Sequence, residues 1–382
     1  MKFPAIRQSV IYQHPKTGGV SMPDSDVAAK FKMVIYSRSR MLEHLTDYKE
    51  AGWNGLALLY LDMPKAAGAS GMSSVAAQKT LSTPAQRAAA VYSNTITMDV
   101  GEFCKIHDAI INATLLDGLA VTENWFLHKT DGSRYEEVGG GASQYRMNFA
   151  NVQYQEYYVH KLEREFSPTD PAHLPTGAQG LFLDDINESW NDVTNLNGGQ
   201  PPVEFANRSE YQAGILAFLS AIRNAYSFPI WGNMTTLESG TAMFNAFKPY
   251  LDGAMIEGAF LDWDGSPLSA AEVVSENEVA DAWGKGLLYV VQGDAAETHH
   301  RYTFGLYLLM SSANAYFYFT DQTTYANYYD LKEYQVALGR PLTKRYEVSS
   351  GVWRRQFQNG TVTVNMNTHK ASDVRRVKTL VQ

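Results

Sequence analysis

The chain has 382 residues, and its 32 Lys and Arg against 40 Asp and Glu give a net charge of −8 at neutral pH. With 45% hydrophobic residues, this length excludes a disordered chain and allows a large core. The negative charge disfavours phosphate backbones, so we expect no nucleic-acid partner. Cys104 is the single cysteine, which excludes an internal disulfide and any metal site built from paired thiolates.

The N-terminal residues carry polar side chains and two prolines, Pro4 and Pro15, where a signal peptide needs a continuous apolar segment. We therefore expect no signal in this sequence, and three locations stay open: secretion after trimming, the cytoplasm and a virion. Residues 302–320 are uncharged but contain Thr303, Ser311 and Asn314, which predicts a buried helix and strand rather than membrane insertion. The oligomeric state is not indicated.

Short apolar runs alternate with segments of helical spacing along most of the chain. The predicted strands are 32–36, 55–61, 119–122, 180–183, 229–232, 253–256, 286–291 and 315–319. The predicted helices are 41–51, 83–112, 151–166, 208–226, 240–250, 269–283, 302–311 and 325–338. Eight strands alternating with helices predict an α/β fold, the (β/α)8 TIM barrel, with a doubly wound sheet as the alternative.

The C-terminal segment has a different sequence pattern. Residues 352–358 and 361–366 read as two strands joined by Asn359-Gly360, the strongest short signal for a β-hairpin. We expect a barrel over residues 1–338 and a small antiparallel β appendage over 339–382. The appendage should pack on the barrel through an apolar face of Trp353, Phe357, Val362 and Val364, because so short a segment buries little alone.

Carboxylates follow two of the predicted strands directly. Asp184 and Asp185 end the fourth strand and Glu257 ends the sixth, where a parallel barrel places its active site. Glycoside hydrolysis uses two such groups, one to protonate the leaving oxygen and one to attack the anomeric carbon or activate water. We predict Asp184 and Glu257 as the catalytic pair and Asp185 as a substrate contact. The alternatives are a helix cap at Asp184-Asp185 and a loop-tying carboxylate at Glu257.

Other predicted strand ends carry the polar and aromatic side chains that bind sugars. The predicted substrate-binding residues are Asp62, Glu123, Trp125, Trp231, Asn233, Gln292, Asp294 and Asp321, besides Asp185. Each taken singly could equally pack in the core or cap a loop. Nucleotide-binding and serine-nucleophile motifs are lacking in the sequence, so we expect no cofactor. We also predict no metal, because His299-His300 are adjacent and Asp262-x-Asp264-Gly265 has no Glu at the twelfth loop position.

Four segments resemble a known family: 125–133, 180–186, 338–341 and 352–365. They are similar to the hypothetical glycosyl hydrolases with a TIM barrel, a group related to polygalactosaminidase and spherulin-4 proteins and more distantly to α-galactosidases. The resemblance implies a nucleophile at the end of strand four and a proton donor at the end of strand six. These positions are Asp184 and Glu257, the residues already chosen from the pattern.

The sequence thus predicts a glycoside hydrolase that acts on a poly- or oligosaccharide. A retaining mechanism requires the two carboxyl groups about 5–5.5 Å apart, and inversion about 6.5–9.5 Å; we favour retention. A non-catalytic carbohydrate-binding barrel, for instance a virion or surface component, is the main alternative, and a metal-dependent hydrolase is the third.

Overall fold

A computed structural model describes residues 8–11, 14–67, 97–98, 106, 109–110, 112–139, 142–170, 173–175, 177–186, 190–195, 198–234, 245–293, 297–312, 314–321 and 325–376. The chain forms two compact units. The first comprises Met1–Tyr36, His44–Leu58 and Asn233–Gln382, and the second comprises Ser37–Glu43 and Leu59–Gly232.

The strands in chain order are β1 (Gln8–Ile11), β2 (Lys16–Thr17), β3 (Val20–Ser21), β4 (Phe31–Tyr36), β5 (Leu56–Ala67), β6 (Thr97–Met98), β7 (Leu115–Leu116), β8 (Leu119–Ala120), β9 (Glu136–Gly139), β10 (Ala142–Arg146), β11 (Gly180–Asp184), β12 (Ile230–Asn233), β13 (Gly253–Glu257), β14 (Gly286–Gln292), β15 (Ala315–Thr320), β16 (Tyr346–Ser349), β17 (Val352–Phe357), β18 (Gly360–Asn365) and β19 (Lys370–Arg376). The helices are α1 (Asp24–Lys30), α2 (Arg38–Glu50), α3 (Val152–Phe166), α4 (Trp190–Asn195), α5 (Arg208–Ala225), α6 (Ala270–Trp283) and α7 (Glu297–Met310). Two 3₁₀ turns cover Glu123–Trp125 and Lys332–Gln335.

The first unit contains a parallel sheet in the strand order β13, β14, β15, β1, β4. Every residue of β14 and β15 is buried, as expected for strands covered on both faces. In the second unit the order is β12, β11, β5, β10, β9, with β11 parallel to β12 and the β9–β10 hairpin antiparallel. The alternation of these strands with helices defines a (β/α)8 barrel, which confirms the predicted fold class.

The first barrel strand is β1, which the sequence pattern did not reveal. It pairs in parallel with both β4 and β15. The predicted strand at 119–122 was wrong, because Leu119–Ala120 forms only a two-residue antiparallel pair with Leu115–Leu116. Four residues with a buried Ser9 give too short an apolar run to stand out, so the pairing partners decide that this segment is a strand.

Three of the long helices, α3, α5 and α6, begin at side-chain caps. Asn151 accepts a hydrogen bond from the Tyr154 backbone N–H, and Asn207 accepts one from Glu210, at the starts of α3 and α5. Ser269 forms a complete capping box with Glu272 before α6. Most of the predicted helix 83–112 lies outside the described residues, and so do residues 240–244 of the predicted helix 240–250. None of the helices in the described part of the chain combines the length and apolar character that a membrane crossing needs.

The predicted helix at 325–338 was wrong and is largely an extended loop. Its apolar residues Tyr328, Leu331 and Tyr334 are buried at the spacing that suggested a helix. The backbone instead bonds to a distant segment: Lys16 donates to the Ala326 carbonyl at 2.7 Å, and Tyr328 donates to the Lys16 carbonyl at 2.8 Å. A single 3₁₀ turn at Lys332–Gln335 is the helical part of this loop.

The predicted C-terminal hairpin is present as β17 and β18, within a four-stranded antiparallel sheet of β16 to β19. Phe357, Val362 and Val364 are buried, whereas Trp353 is only partly buried. This sheet packs on α7, where a Cβ added to Gly305 would lie 2.7 Å from the Ala371 Cβ. The absent side chain therefore permits close packing of helix and sheet. The boundary near residue 338 stays a prediction.

Candidate active site

Asp184 is the last residue of β11, and it is partly buried after four fully buried residues. The strand lies unusually close to its neighbour, since a Cβ on Gly180 would be 2.1 Å from the Pro229 carbonyl oxygen. The Tyr60 hydroxyl donates a hydrogen bond to Asp184 Oδ2, and the Tyr60 ring stacks on Phe182 at 5.6 Å. The carboxyl group of Asp184 is thus held in place while staying accessible.

Asp185 lies where the chain leaves the strand. Its φ of 50° is in the left-handed region, which residues other than glycine adopt infrequently. The side chain is partly buried, and the following Ile186 is fully buried. Because the backbone turns at this residue, the alternation of side chains along β11 does not determine the direction of the Asp185 side chain.

Glu257 is the partly buried last residue of β13 and accepts hydrogen bonds at both carboxylate oxygens. Asn233 Nδ2 donates to Oε2 at 2.8 Å. The Tyr325 hydroxyl donates to Oε1, and Gln292 Nε2 contacts both Oε1, at 3.5 Å, and the Tyr325 hydroxyl. Two predicted substrate-binding residues, Asn233 and Gln292, are therefore brought to the predicted catalytic Glu257. Both are almost completely buried.

This arrangement can serve two charge states of Glu257. Hydrogen bonds donated to a carboxylate favour its ionised form. A protonated Glu257 can instead donate to the Tyr325 oxygen, because a hydroxyl both donates and accepts. Tyr325 can then turn its own proton towards a rotated Gln292 amide oxygen. A general acid/base needs this capacity, because it is protonated in one step and ionised in the next.

Glu123 forms an ion-pair cluster with basic side chains. Arg134 donates two hydrogen bonds to its carboxylate, at 2.7 and 2.9 Å, and its guanidinium covers the Phe126 ring. His128 Nε2 lies 3.6 Å from Glu123, while His128 Nδ1 lies 2.6 Å from Glu204. The hydrogen bond from Arg134 is the main cause that lowers the pKa of Glu123. Glu123 is therefore ionised, and both of its carboxylate oxygens accept hydrogen bonds from Arg134.

The tryptophans predicted as sugar platforms are buried. Trp125 has no exposed surface and packs between Tyr154 and Tyr157, at 5.8 and 5.3 Å between ring centroids. Trp231 is 5% exposed within β12. A sugar platform needs an open ring face, so Trp125 is a core residue here, a correction that burial by α3 explains. Trp190, partly buried against Tyr211, has more exposed surface than either.

Three further acidic residues were predicted as substrate contacts. Asp321 accepts a hydrogen bond from the Asn327 backbone N–H at 3.2 Å, as a loop cap does. Asp62 lies in β5, but its side chain is outside the described part of the structure, and so is Asp294 altogether. Their roles in substrate binding stay predictions.

Sequence reasoning missed two tyrosines. Tyr60 lies two residues before Asp62 in the same predicted strand, so strand alternation could have indicated it. Tyr325 has no such signal, because it lies in a segment predicted as helix and adopts a φ of 55°. Its backbone carbonyl accepts a hydrogen bond from the Tyr318 hydroxyl at 2.7 Å, which fixes this turn against β15.

A (β/α)8 enzyme places its catalytic groups at the carboxyl ends of the barrel strands, where Asp184 and Glu257 lie, and glycoside hydrolysis uses two carboxyl groups. The sequence model of hypothetical glycosyl hydrolase family 15 matches residues 91–361, and the chain belongs to this family. The protein is accordingly a glycoside hydrolase, and a carbohydrate is its substrate. No curated protein matches the sequence.

Solved structures with a similar course of the chain include two bacterial glycoside hydrolases. A variant of the glycoside hydrolase domain of PelA from Pseudomonas aeruginosa is 11% identical, with a TM-score of 0.46, over 82% of this chain and 94% of that chain. The GH27 β-L-arabinopyranosidase Abp from Geobacillus stearothermophilus is 10% identical, with a TM-score of 0.45, over 94% of this chain and 84% of that chain.

Proposed function

We propose that the enzyme cleaves a glycosidic bond of a poly- or oligosaccharide with two carboxyl groups and with retention of configuration. Asp184 is the nucleophile and Glu257 is the general acid/base. One observation carries this proposal: each acid is the half-buried end of a buried strand and accepts a hydrogen bond from a tyrosine hydroxyl, Tyr60 or Tyr325. A tyrosine hydroxyl orients a carboxylate by a neutral hydrogen bond, so this contact leaves the charge of the acid in place.

In the first step, protonated Glu257 gives its proton to the departing glycosidic oxygen while ionised Asp184 attacks the anomeric carbon. The carbon–oxygen bond to the leaving group breaks, and an ester forms between Asp184 and the sugar. In the second step, ionised Glu257 takes a proton from water, and the resulting oxygen nucleophile attacks the same carbon. The ester breaks, Asp184 is again a carboxylate and Glu257 is again protonated. Two displacements restore the original anomeric configuration.

The first test uses isosteric variants on a glycan or aryl glycoside that the unaltered enzyme hydrolyses. Asp184→Asn and Glu257→Gln should each lower turnover by at least about 100-fold with little change in the melting temperature, since each amide keeps the shape but loses the acid. Asp26→Asn is the control, because Asp26 is an exposed acid of α1 outside the predicted substrate contacts, and it should keep near-normal turnover. Near-normal turnover of Asp184→Asn would overturn the assignment of the nucleophile.

The second test separates the two roles. Glu257→Ala should retain formation of the sugar ester with a dinitrophenyl leaving group, which departs without protonation, but not with a poor alkoxide leaving group. Asp184→Ala should lose both reactions. Proton NMR of the first product formed by the unaltered enzyme should show the substrate's anomeric configuration. An initially inverted product would exclude the ester intermediate and would assign one of the carboxylates to water activation.

A further inference from the structure

Two histidines and an aspartate form a cluster within the first unit. His14 follows β1, Asp24 is the first residue of α1 and His44 lies in α2. His44 Nδ1 is 3.1 Å from Asp24 Oδ1, and His14 Nε2 is 3.9 Å from the same oxygen. The Met22 carbonyl oxygen is 2.6 Å from His14 Nε2. All these atoms belong to the first unit, and His14 is 6% exposed.

We propose that His14 Nε2, His44 Nδ1 and Asp24 Oδ1 bind a divalent metal of the zinc type, with the Met22 carbonyl or a water molecule as the fourth ligand. Two imidazoles and one carboxylate form a donor set that suits Zn²⁺. The ligand atoms of the three side chains all lie within 4.8 Å of one another. Tetrahedral coordination with bonds of about 2.0 Å places ligand atoms about 3.3 Å apart, so rotations of the His14 and His44 side chains complete the site.

A pair of hydrogen-bonded tyrosines lies on the Nδ1 side of the His14 ring. His14 Nδ1 lies 3.0 Å from the Tyr48 hydroxyl, which lies 3.0 Å from the Tyr36 hydroxyl. Metal-binding histidines almost always donate their second ring N–H to an oxygen, which fixes the tautomer and directs the other nitrogen to the metal. When His14 Nδ1–H donates a hydrogen bond to the Tyr48 hydroxyl, the Nε2 lone pair of His14 faces Asp24 and Met22. In this tautomer the oxygen atoms of Asp24 and Met22 face the Nε2 lone pair, and a cation between them removes the repulsion.

The charges around the cluster favour a cation as well. Asp24 is partly buried, and the Asp47 carboxyl lies close to it. A metal ion in contact with Asp24 offsets both the desolvation and the repulsion from Asp47. With both imidazoles neutral, as metal ligands must be, the two carboxylates carry the net charge that a divalent ion compensates.

Protons could occupy the same positions, with His14 Nε2–H donating to Met22 and His44 Nδ1–H donating to Asp24. The two rings then stay stacked, at 4.1 Å between centroids and an interplanar angle of 20°. Because a metal lies in the plane of each imidazole that binds it, coordination must tilt the rings apart. The metal-bound and proton-bound forms therefore differ in structure as well as in composition.

The experiment measures metal binding to the full chain with Zn²⁺ by calorimetry and with Co²⁺ by visible absorption. We expect one tight Zn²⁺ per chain, a higher melting temperature that a chelator reverses, and the intense bands of tetrahedral Co²⁺. Asp24→Asn should weaken binding at least tenfold and remove the stabilisation by Zn²⁺. Asp26→Asn is the matched control, an exposed acid in the same helix turn, and it should bind as the unaltered protein does.

His44→Gln provides a second test that keeps the side chain polar, and His369→Asn controls for loss of a histidine outside the cluster. Weak binding by His44→Gln together with normal binding by His369→Asn supports the site. No stoichiometric Zn²⁺ binding by the unaltered protein would overturn the proposal and leave the proton-bound cluster. Binding that is unchanged in both Asp24→Asn and His44→Gln would place the metal elsewhere and overturn it equally.

Discussion

At Glu257, three polar side chains converge on one carboxyl group, and Tyr325 is the member that the sequence did not predict. Its hydroxyl contacts both Glu257 and Gln292, so it can follow the proton of Glu257 through both reaction steps. Asn233 contacts the other oxygen and orients the group without such a capacity, since an amide nitrogen only donates. We therefore regard Tyr325 as a positioning residue for the proposed acid/base.

Replacing Tyr325 by Phe removes this hydroxyl and keeps the ring. Hydrogen bonds to charged groups contribute about 1.5–3 kcal/mol, so kcat should fall by roughly 10- to 100-fold with a smaller change in KM. The pH dependence of kcat should shift as well, because the proton on Glu257 loses its partner. Tyr328→Phe is the control, since its hydroxyl contacts Asp330 in the same loop. Equal kinetics of the two variants would show that Tyr325 has only a structural role.

At the scale of elements, the contact between α7 and the C-terminal sheet depends on one arginine. Arg355 Nη1 donates to the carbonyl oxygens of Leu308, Leu309 and Ser311, at 3.1, 3.0 and 2.8 Å. The last carbonyls of a helix have no partner within the helix, and a cation there also interacts favourably with the helix dipole. Burial lowers the pKa of Arg355, but the guanidinium remains charged at neutral pH.

Arg355→Met should destabilise the protein by about 1.5–3 kcal/mol, because the helix-terminal carbonyls lose a charged donor while the apolar stem is retained. Urea-induced unfolding measures this change. Arg354→Met is the matched control, since Arg354 lies on the other face of β17 and bonds to Thr363. That variant should change the free energy of unfolding by less than about 1 kcal/mol. Similar losses in both variants would contradict a specific role for Arg355.

At the scale of the whole molecule, pH stability depends on a buried histidine. His300 is 3% exposed, stacks on Phe319 at 4.0 Å and forms a hydrogen bond with the Tyr334 hydroxyl. Burial lowers the pKa of His300 to about 3, although Asp330 opposes this shift. Above pH 6.5 the ring is neutral in both folded and unfolded chains. Between pH 6.5 and 3 only the unfolded chain binds the proton, so the folded state loses stability as the pH falls.

The loss due to His300 should reach about 2 kcal/mol at pH 5, from 1.36 kcal/mol per pH unit below 6.5. We compare the free energy of unfolding at pH 7.5 and pH 5 for the unaltered protein, His300→Gln and the neighbouring His299→Gln. Between pH 7.5 and pH 5, the free energy of unfolding of His300→Gln should fall by about 2 kcal/mol less than that of the unaltered protein, whatever the absolute stability of the variant. If the two variants show the same drop, His300 is not the group that titrates.

The sequence by itself determined the local features. Apolar runs marked seven of the eight barrel strands, because strands buried on both faces leave a continuous hydrophobic signal. Helical spacing marked α3, α5 and α6 to within one residue at each end, and Asn359-Gly360 marked the hairpin. Glu257 was predicted from its place after a buried strand. Each of these signals depends on neighbours within a few residues.

Only the tertiary structure decided the features that depend on residues far apart in the chain. β1 is a strand because β4 and β15 supply its hydrogen-bond partners. Residues 325–331 form a loop because the backbone groups of Ala326 and Tyr328 form hydrogen bonds with the backbone of Lys16. Tyr325 reaches Glu257 across 68 positions of sequence, and burial against α3 makes Trp125 a core residue. Sequence periodicity reports the environment of one element, whereas these contacts arise when separate elements meet, and no local pattern encodes which partner that will be.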